Sequence, residues 1–198
     1  MAIRVGINGF GRMGKLGFRA GWGSPEYDIV HVNEIKGDAA CQAHLLEFDS
    51  VHGRWHRDQI GSRPDALIVA GREVGFSMAA GIAEVDWGAK GIDIVVECSG
   101  RFKTAADLQP YFDQGVKKVV VSTPVPEPAL NLVYGVNDHL YDPAVHQIVT
   151  AASCTTNCLA PVVKVMHEKI GILRGSMTTI HDITNTQTIV DKGHKDLR

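Results

Sequence analysis

The chain has 198 residues, of which 44% are hydrophobic and 21% charged, with a formal net charge of -2. Such values are ordinary for a soluble globular protein and exclude disordered, coiled-coil and fibrous classes, while the scattered Lys and Arg residues leave no basic patch of the kind that holds nucleic acid. No apolar run reaches the roughly 18 residues of a membrane span, and the start at Met1 to Ile7 is too short for a signal peptide, so a cytoplasmic protein without a membrane partner is expected.

In chain order, Ile3 to Ile7 reads as a strand that ends in a glycine-rich turn, followed by a helix over Lys15 to Trp22. Tyr27 to Asn33 is a second strand with Glu34 at its carboxyl end, and Ala39 to Phe48 a helix with Ala43, Leu46 and Phe48 facing inward. Ala66 to Ala70 and Glu73 to Ser77 are two short segments bounded by Gly61, Pro64 and Gly71, read as a hairpin peripheral to the sheet. Ile92 to Cys98 and Val116 to Ser122 are β-branched runs separated by a helix over Thr104 to Gln114, the pattern of parallel strands buried on both faces. Leu132 to Val136 and His146 to Thr150 are further strands; Cys154 to Lys169 reads as a helix and Gly175 to Ile183 as a strand. The alternation predicts an α/β fold, a Rossmann-type doubly wound parallel sheet over residues 1–152, followed over 153–198 by the beginning of an α+β catalytic domain.

Gly9-x-Gly11-x-x-Gly14 taken alone can be no more than a turn. Here it follows a strand, opens a helix, and precedes by 20 positions an acidic residue, Glu34, at the end of the next strand. Glycines let a backbone approach a pyrophosphate, a helix N-terminus offers free N–H groups, and a carboxylate accepts from ribose hydroxyls. That is the chemistry of a dinucleotide site. Glu34 also repels a 2′-phosphate, with only Lys36 nearby to offset it, so NAD is expected over NADP. The backbone N–H of Arg12 is placed to meet phosphate.

Four cysteines, Cys41, Cys98, Cys154 and Cys158, form neither a dense disulfide framework nor a zinc knuckle, and no metal site is expected. Cys41, Cys98 and Cys158 read as small buried residues. Cys154 stands at the start of a predicted helix between the hydroxyls of Ser153 and Thr155, where the dipole and free N–H groups favour a thiolate nucleophile. His181, at the end of the run from Met177, supplies an imidazole able to activate a thiol and carry protons.

Together, Asn8 to Gly14, Ala152 to Cys158, Thr178 to His181 and His194 to Arg198 resemble phosphorylating glyceraldehyde-3-phosphate dehydrogenase, in order along the whole chain. The resemblance implies oxidation of glyceraldehyde 3-phosphate with NAD and inorganic phosphate to an acyl phosphate, with Cys154 as nucleophile and His181 as its activating base. It implies substrate or phosphate contacts at Ser153, Thr155 and Thr184, and cofactor contacts at Asn8, Gly9, Phe10, Gly11, Arg12, Met13, Glu34, Ser99, Gly100, Ser122 and Asn185. Two departures stand out: Glu34 replaces the family's usual Asp, and Ala151 its usual Asn. Within the family, Val32 to Gly37, Ala43 to Trp55 and His181 to Gln187 most resemble the branch found beside an organoarsenical efflux permease, which implies arsenate as acceptor and 1-arseno-3-phosphoglycerate as product. Erythrose-4-phosphate dehydrogenase is a second neighbour. Family members are longer, so the chain is expected to be a fragment of a homotetrameric subunit; an NAD-binding module without catalysis is the alternative for the piece itself.

Overall fold

The computed structural model describes residues 2–181. Nine strands form one sheet: β1 (Ile3–Asn8), β2 (Tyr27–Asn33), β3 (Ile60–Arg63), β4 (Ala66–Val69), β5 (Arg72–Ser77), β6 (Ile94–Glu97), β7 (Lys118–Val121), β8 (Leu130–Asn131) and β9 (Ile148–Thr150). Four helices, α1 (Arg12–Gly21), α2 (Ala39–Glu47), α3 (Ala105–Asp113) and α4 (Cys154–Lys169), complete the regular structure. The strand order is β3-β4-β5-β2-β1-β6-β7-β9-β8, parallel from β5 through β8 and antiparallel only in the β3-β4-β5 edge. This is the doubly wound arrangement read from the sequence.

β1 is buried on both faces over its second half, which is why it lacks strict alternation: Val5, Gly6, Ile7 and Asn8 are buried in succession, whereas β6 and β7 alternate between half-buried and buried residues. On one side, α1 and α2 press Phe18, Ala43 and Leu46 against Val5, Ile7, Val32 and Val74. On the other, α3 presses Leu108 and Tyr111 against Val95, Val119 and Trp87. Each such large apolar side chain contributes about 1.5–3 kcal/mol on burial. Gly6 is part of the same packing, because a Cβ there would lie 2.7 Å from the Trp87 ring.

Local chemistry sets the helix starts. The Asp38 side chain accepts from the Cys41 N–H to begin α2, and Thr104 with Asp107 forms a reciprocal capping box at α3. At α1 the preceding residue is Gly11, which offers no side-chain cap.

Several expectations need correction. The hairpin of β4 and β5 is not peripheral: β5 hydrogen-bonds in parallel to β2, and Leu67, Val69 and Val74 are fully buried. α1 begins at Arg12, three residues earlier than read, because the glycine turn itself delivers the chain into helical geometry. Phe48 lies beyond the end of α2, and its exposed ring rests against the Arg54 guanidinium at 4.9 Å and His44 at 4.8 Å instead of facing inward. No strand forms at Leu132 to Val136: β8 ends at Asn131, Leu132 adds one last backbone bond to Thr150, and Asn137 then takes the Val133 N–H into a turn. Within Gly175 to Ile183, residues 175–181 carry no strand pairing among the described residues; Asp182 and Ile183 lie outside them.

The chain turns from β1 toward β2 on one side and from β6 toward β7 on the other, so its connections diverge between β1 and β6. In sheets of this kind a ligand crevice opens outside the carboxyl ends of the strands at that divergence. No helix among the described residues is long and apolar enough to cross a membrane.

Candidate functional site

A cleft of about 380 Å³ opens at the β1–β6 divergence, lined by Asn8, Gly9, Gly11, Glu34, Ser99 and Arg101 among others. Its three glycines do different work. Gly9 has φ +86°, and a Cβ there would lie 2.3 Å from the Ser99 N, so the turn after β1 abuts the turn after β6. At Gly14 a Cβ would lie 2.1 Å from the Gly9 carbonyl oxygen, which lets α1 start directly against the turn. Around Gly11 a Cβ would meet nothing within 4 Å. Protein packing therefore explains Gly9 and Gly14 and leaves Gly11 on open space, beside an uncapped helix N-terminus whose first N–H groups have no intrahelical acceptor.

Charged groups hold this turn from both sides. The Glu34 carboxylate accepts the Phe10 N–H at 2.8 Å and the Lys36 N–H at 3.1 Å. Buried Lys15 donates to the Phe10 carbonyl and to the Gln42 side chain, and burial pushes its ammonium down to about 8, opposed by the nearby Glu34. Phe10 itself is fully buried and packs edge-on against Phe18, so only its backbone borders the cleft. Arg12, at the mouth of the turn, pairs with Asp49 at 3.0 Å. Asp49 is held down to about 2 by the N–H groups of His52 and Val51, with Arg12 adding to the effect.

Beneath the cleft runs a buried polar chain. His31 Nε2 meets the Ser77 hydroxyl at 2.8 Å, Ser77 donates to Asn33 Oδ1 at 2.8 Å, and Asn33 donates to Asn8 Oδ1 at 2.8 Å. Asn8 Nδ2 then donates to Glu97 Oε2 at 2.8 Å, and the Tyr111 hydroxyl donates to the same oxygen at 2.6 Å. Burial, reinforced by the Glu97 charge, pushes the Tyr111 phenol far above its ordinary range, so it stays a donor. Burial also raises the Cys98 thiol to about 11, against a hydrogen bond from Ser122.

A second feature lies at the carboxyl end of β9. Ala152 adopts φ +55°, an uncommon conformation for a residue with a Cβ, with its N–H held by Thr150 Oγ1 at 3.0 Å. The chain thereby turns sharply into α4, where the Ser153 hydroxyl accepts the Thr156 N–H at 3.0 Å. Asn157 ties the elbow down by donating to the Ala151 carbonyl at 2.6 Å and to the Ser153 carbonyl at 2.9 Å. Cys154 is the first residue of α4 and its free thiol is exposed. His181 Nε2 meets the Thr155 hydroxyl at 2.9 Å, which brings the imidazole to the residue adjacent to Cys154.

Residues 3–105 match the family model described as glyceraldehyde 3-phosphate dehydrogenase, NAD binding domain, and residues 153–198 match that of the glyceraldehyde 3-phosphate dehydrogenase C-terminal domain. The chain belongs to the glyceraldehyde-3-phosphate dehydrogenase family. It is similar over its whole length to glyceraldehyde-3-phosphate dehydrogenase 3 of Nostoc sp. at 58% identity, and to the glyceraldehyde-3-phosphate dehydrogenase of Geobacillus stearothermophilus at 46%. Glyceraldehyde-3-phosphate dehydrogenase 1 of Bacillus subtilis is likewise 46% identical. The chain spans 58% of the length of each of these relatives.

Set in this family's NAD-binding domain, the residues singled out in the sequence fall into two groups. Asn8, Gly9, Gly11, Glu34 and Ser99 line one cleft, with Arg12 and Met13 in the first turn of α1 at its edge. Gly100, at φ +68°, continues the turn after β6, and Ser122 follows β7 beside Cys98. Ser153, Cys154, Thr155 and His181 meet at the start of α4. The His181 ring hydrogen-bonds Thr155 and not the Cys154 thiol. Thr184 and Asn185 lie outside the described residues. Sequence reading missed Lys15, Asn33, Glu97 and Tyr111. The available signal was an acidic residue closing the otherwise apolar run Ile94-Val-Val-Glu97, because a charge at the end of a fully buried strand must find donors.

Proposed function

We propose that this chain comprises the NAD-binding domain, residues 1–152, and the beginning of the catalytic domain, residues 153–198, of a cytoplasmic, homotetrameric, NAD-dependent phosphorylating dehydrogenase acting on glyceraldehyde 3-phosphate. The observation that carries the reading is the elbow at Ala152, which sets an exposed thiol at the first position of α4 with an imidazole one residue away. The open side of Gly11 and the uncapped start of α1 fit a pyrophosphate, and Glu34 at the end of β2 fits a ribose. The apolar side chains that α4 exposes on several sides, among them Leu159, Val162 and Met166, support further protein packing around it.

When bound, NAD supplies the hydride acceptor. Cys154 Sγ bonds to the aldehyde carbon to give a hemithioacetal, and His181 Nε2 takes the hydroxyl proton as the thioester forms. The Thr155 hydroxyl holds that nitrogen until the substrate hydroxyl takes its place, and the α4 N-terminus stabilises negative charge on sulfur and on the adjoining oxygen. A phosphate oxygen then attacks the thioester carbonyl, breaking the C–S bond and returning the thiolate. Turnover of the full-length protein with NAD, glyceraldehyde 3-phosphate and phosphate tests the reading: Cys154→Ser abolishes turnover while NAD affinity is kept. NAD binding without turnover by the wild-type protein would favour a binding module alone.

A second reading concerns the acceptor. The resemblance of the segments Val32 to Gly37, Ala43 to Trp55 and His181 to Gln187 to the branch found beside an organoarsenical efflux permease points to arsenate as the physiological nucleophile. Ala43 to Trp55 lies on α2 and the turn behind the cofactor cleft, with Leu46 buried under α1, so that segment marks ancestry instead of touching the acceptor. Arsenate tolerance of a sensitive host that co-expresses the full-length protein and an organoarsenical permease tests it: tolerance lost with Cys154→Ser supports arsenate, and no gain in tolerance opposes it.

A further inference from the structure

Phe10 is gripped at both ends of its backbone, although its side chain is fully buried and reaches no part of the cleft. Its N–H donates to Glu34 Oε2 at 2.8 Å, and its carbonyl accepts from Lys15 Nζ. A second route joins the same groups: Lys15 also donates to Gln42 Oε1, Gln42 Nε2 to the Lys36 carbonyl, and the Lys36 N–H to Glu34 Oε1 at 3.1 Å. This closed ring of hydrogen bonds ties the turn after β1 to the turn after β2, both of which line the cofactor cleft. Lys15 is only 8% exposed, a rare burial for a lysine, and its Nζ lies 4.7 Å from the centre of the Phe10 ring. An ammonium offers three donors and a neutral amine two. Both oxygens are therefore met whether or not the group, lowered by burial to about 8, holds its extra proton.

The Phe10–Gly11 peptide is trans, so its C=O and N–H point to opposite sides. With the carbonyl turned inward to Lys15, the Gly11 N–H is turned away from it, and among the described residues it meets no acceptor. Gly11 is also the glycine that lines the cleft with open space where a Cβ would stand. We propose that Lys15 is a positioning residue for the cofactor's phosphates: by holding the Phe10 carbonyl from the interior, it presents the Gly11 N–H to the pyrophosphate before the ligand arrives. The proposal rests on the reading of this cleft as an NAD site. A peptide fixed in advance needs no ordering on binding. Without Lys15 the Phe10 carbonyl keeps no donor among the described residues, and its peptide plane is free to rotate.

Titration of the full-length protein with adenosine diphosphate and with adenosine, which lacks the phosphates, tests this, because the ratio of the two affinities isolates what the phosphates contribute. Lys15→Met keeps the apolar stem and removes the donors. It is expected to lower that ratio by about tenfold or more and to leave adenosine affinity within about threefold. A merely structural role weakens both ligands alike, so an unchanged ratio in a folded Lys15→Met protein overturns the proposal. Because Lys15→Met risks misfolding, two further variants are read on the same scale. Lys15→Arg retains donors for both oxygens and is expected to keep the ratio within about threefold of the wild-type value. Gln42→Leu opens the ring on its far side, leaves Lys15 bonded to the Phe10 carbonyl, and is expected to keep the ratio as well. A fall of about tenfold in either folded variant overturns the proposal. A wild-type protein that binds adenosine diphosphate no better than adenosine refutes the reading of the cleft as a pyrophosphate site, and the proposal with it.

Discussion

The carboxylate of Glu34 and the backbone N–H of Phe10 meet at 2.8 Å, so the residue that ends β2 also closes the glycine turn that follows β1. Glu34 thus has a structural duty as well as its place on the cleft wall. A carboxylate offers about four acceptor sites, and the Phe10 and Lys36 N–H groups take two, which leaves room for ribose hydroxyls. A 2′-phosphate would meet this charge directly. The expected preference for NAD over NADP is at least about tenfold, or about 1.4 kcal/mol. Glu34→Ala should narrow that preference, because Lys36 and Arg101 line the same cleft, and should also weaken NAD binding through the loosened turn. Titration of the variant with both dinucleotides checks the two effects together; an unchanged preference places Glu34 away from the ribose.

The three glycines of the turn should respond differently to the same substitution. Gly9→Ala and Gly14→Ala drive a Cβ into backbone atoms at 2.3 and 2.1 Å, so each should cost several kcal/mol of stability, on the order of the largest single-residue effects. Gly11→Ala meets nothing and has an ordinary φ of -70°, so its stability should change by no more than about 1 kcal/mol. Its dinucleotide affinity should nevertheless fall, because the methyl group occupies the ligand's side. Denaturant melts paired with NAD titration distinguish these outcomes.

His31 predicts an acid-labile sheet. Burial, with a smaller contribution from the Lys90 charge, lowers its pKa from 6.5 to about 4, and the ring packs edge-on to Trp87 at 5.8 Å in space that Gly75 leaves free. A depressed folded pKa means that the unfolded chain binds the extra proton first. This contribution to stability is therefore present above pH 6.5 and is lost as pH falls toward 4, by about 3 kcal/mol in all. Melts between pH 7 and pH 4.5 should show the decline, and His31→Gln should flatten it. A pH-independent wild-type melt in that window would mean that His31 is not held neutral.

What the sequence revealed follows from the range of the forces involved. The parallel strands and the helices between them were legible because each is a run with a local signature: β-branched residues in β6 and β7, a capping pair at Thr104 and Asp107, glycines before α1. The glycine turn and the helix-terminal cysteine were legible because both are also local. By contrast, the polar chain from His31 to Glu97 joins β5, β2, β1, β6 and α3, and nothing within a single segment announces those pairings. The hairpin at β4 and β5 was read as peripheral for the same reason, since its attachment to β2 spans more than 40 residues of chain. At Gly175 to His181 the β-branched composition was real but no partner strand stands beside it among the described residues, so propensity alone did not make a strand.

The most direct test of the account is to mix the full-length protein with NAD and glyceraldehyde 3-phosphate in the absence of any phosphate or arsenate, quench in acid, and map the product by peptide mass spectrometry. The account predicts a 3-phosphoglyceroyl thioester on Cys154, discharged on addition of phosphate and absent from Cys154→Ser. No acyl adduct, or one formed at Cys158 with Cys154 unmodified, would contradict it.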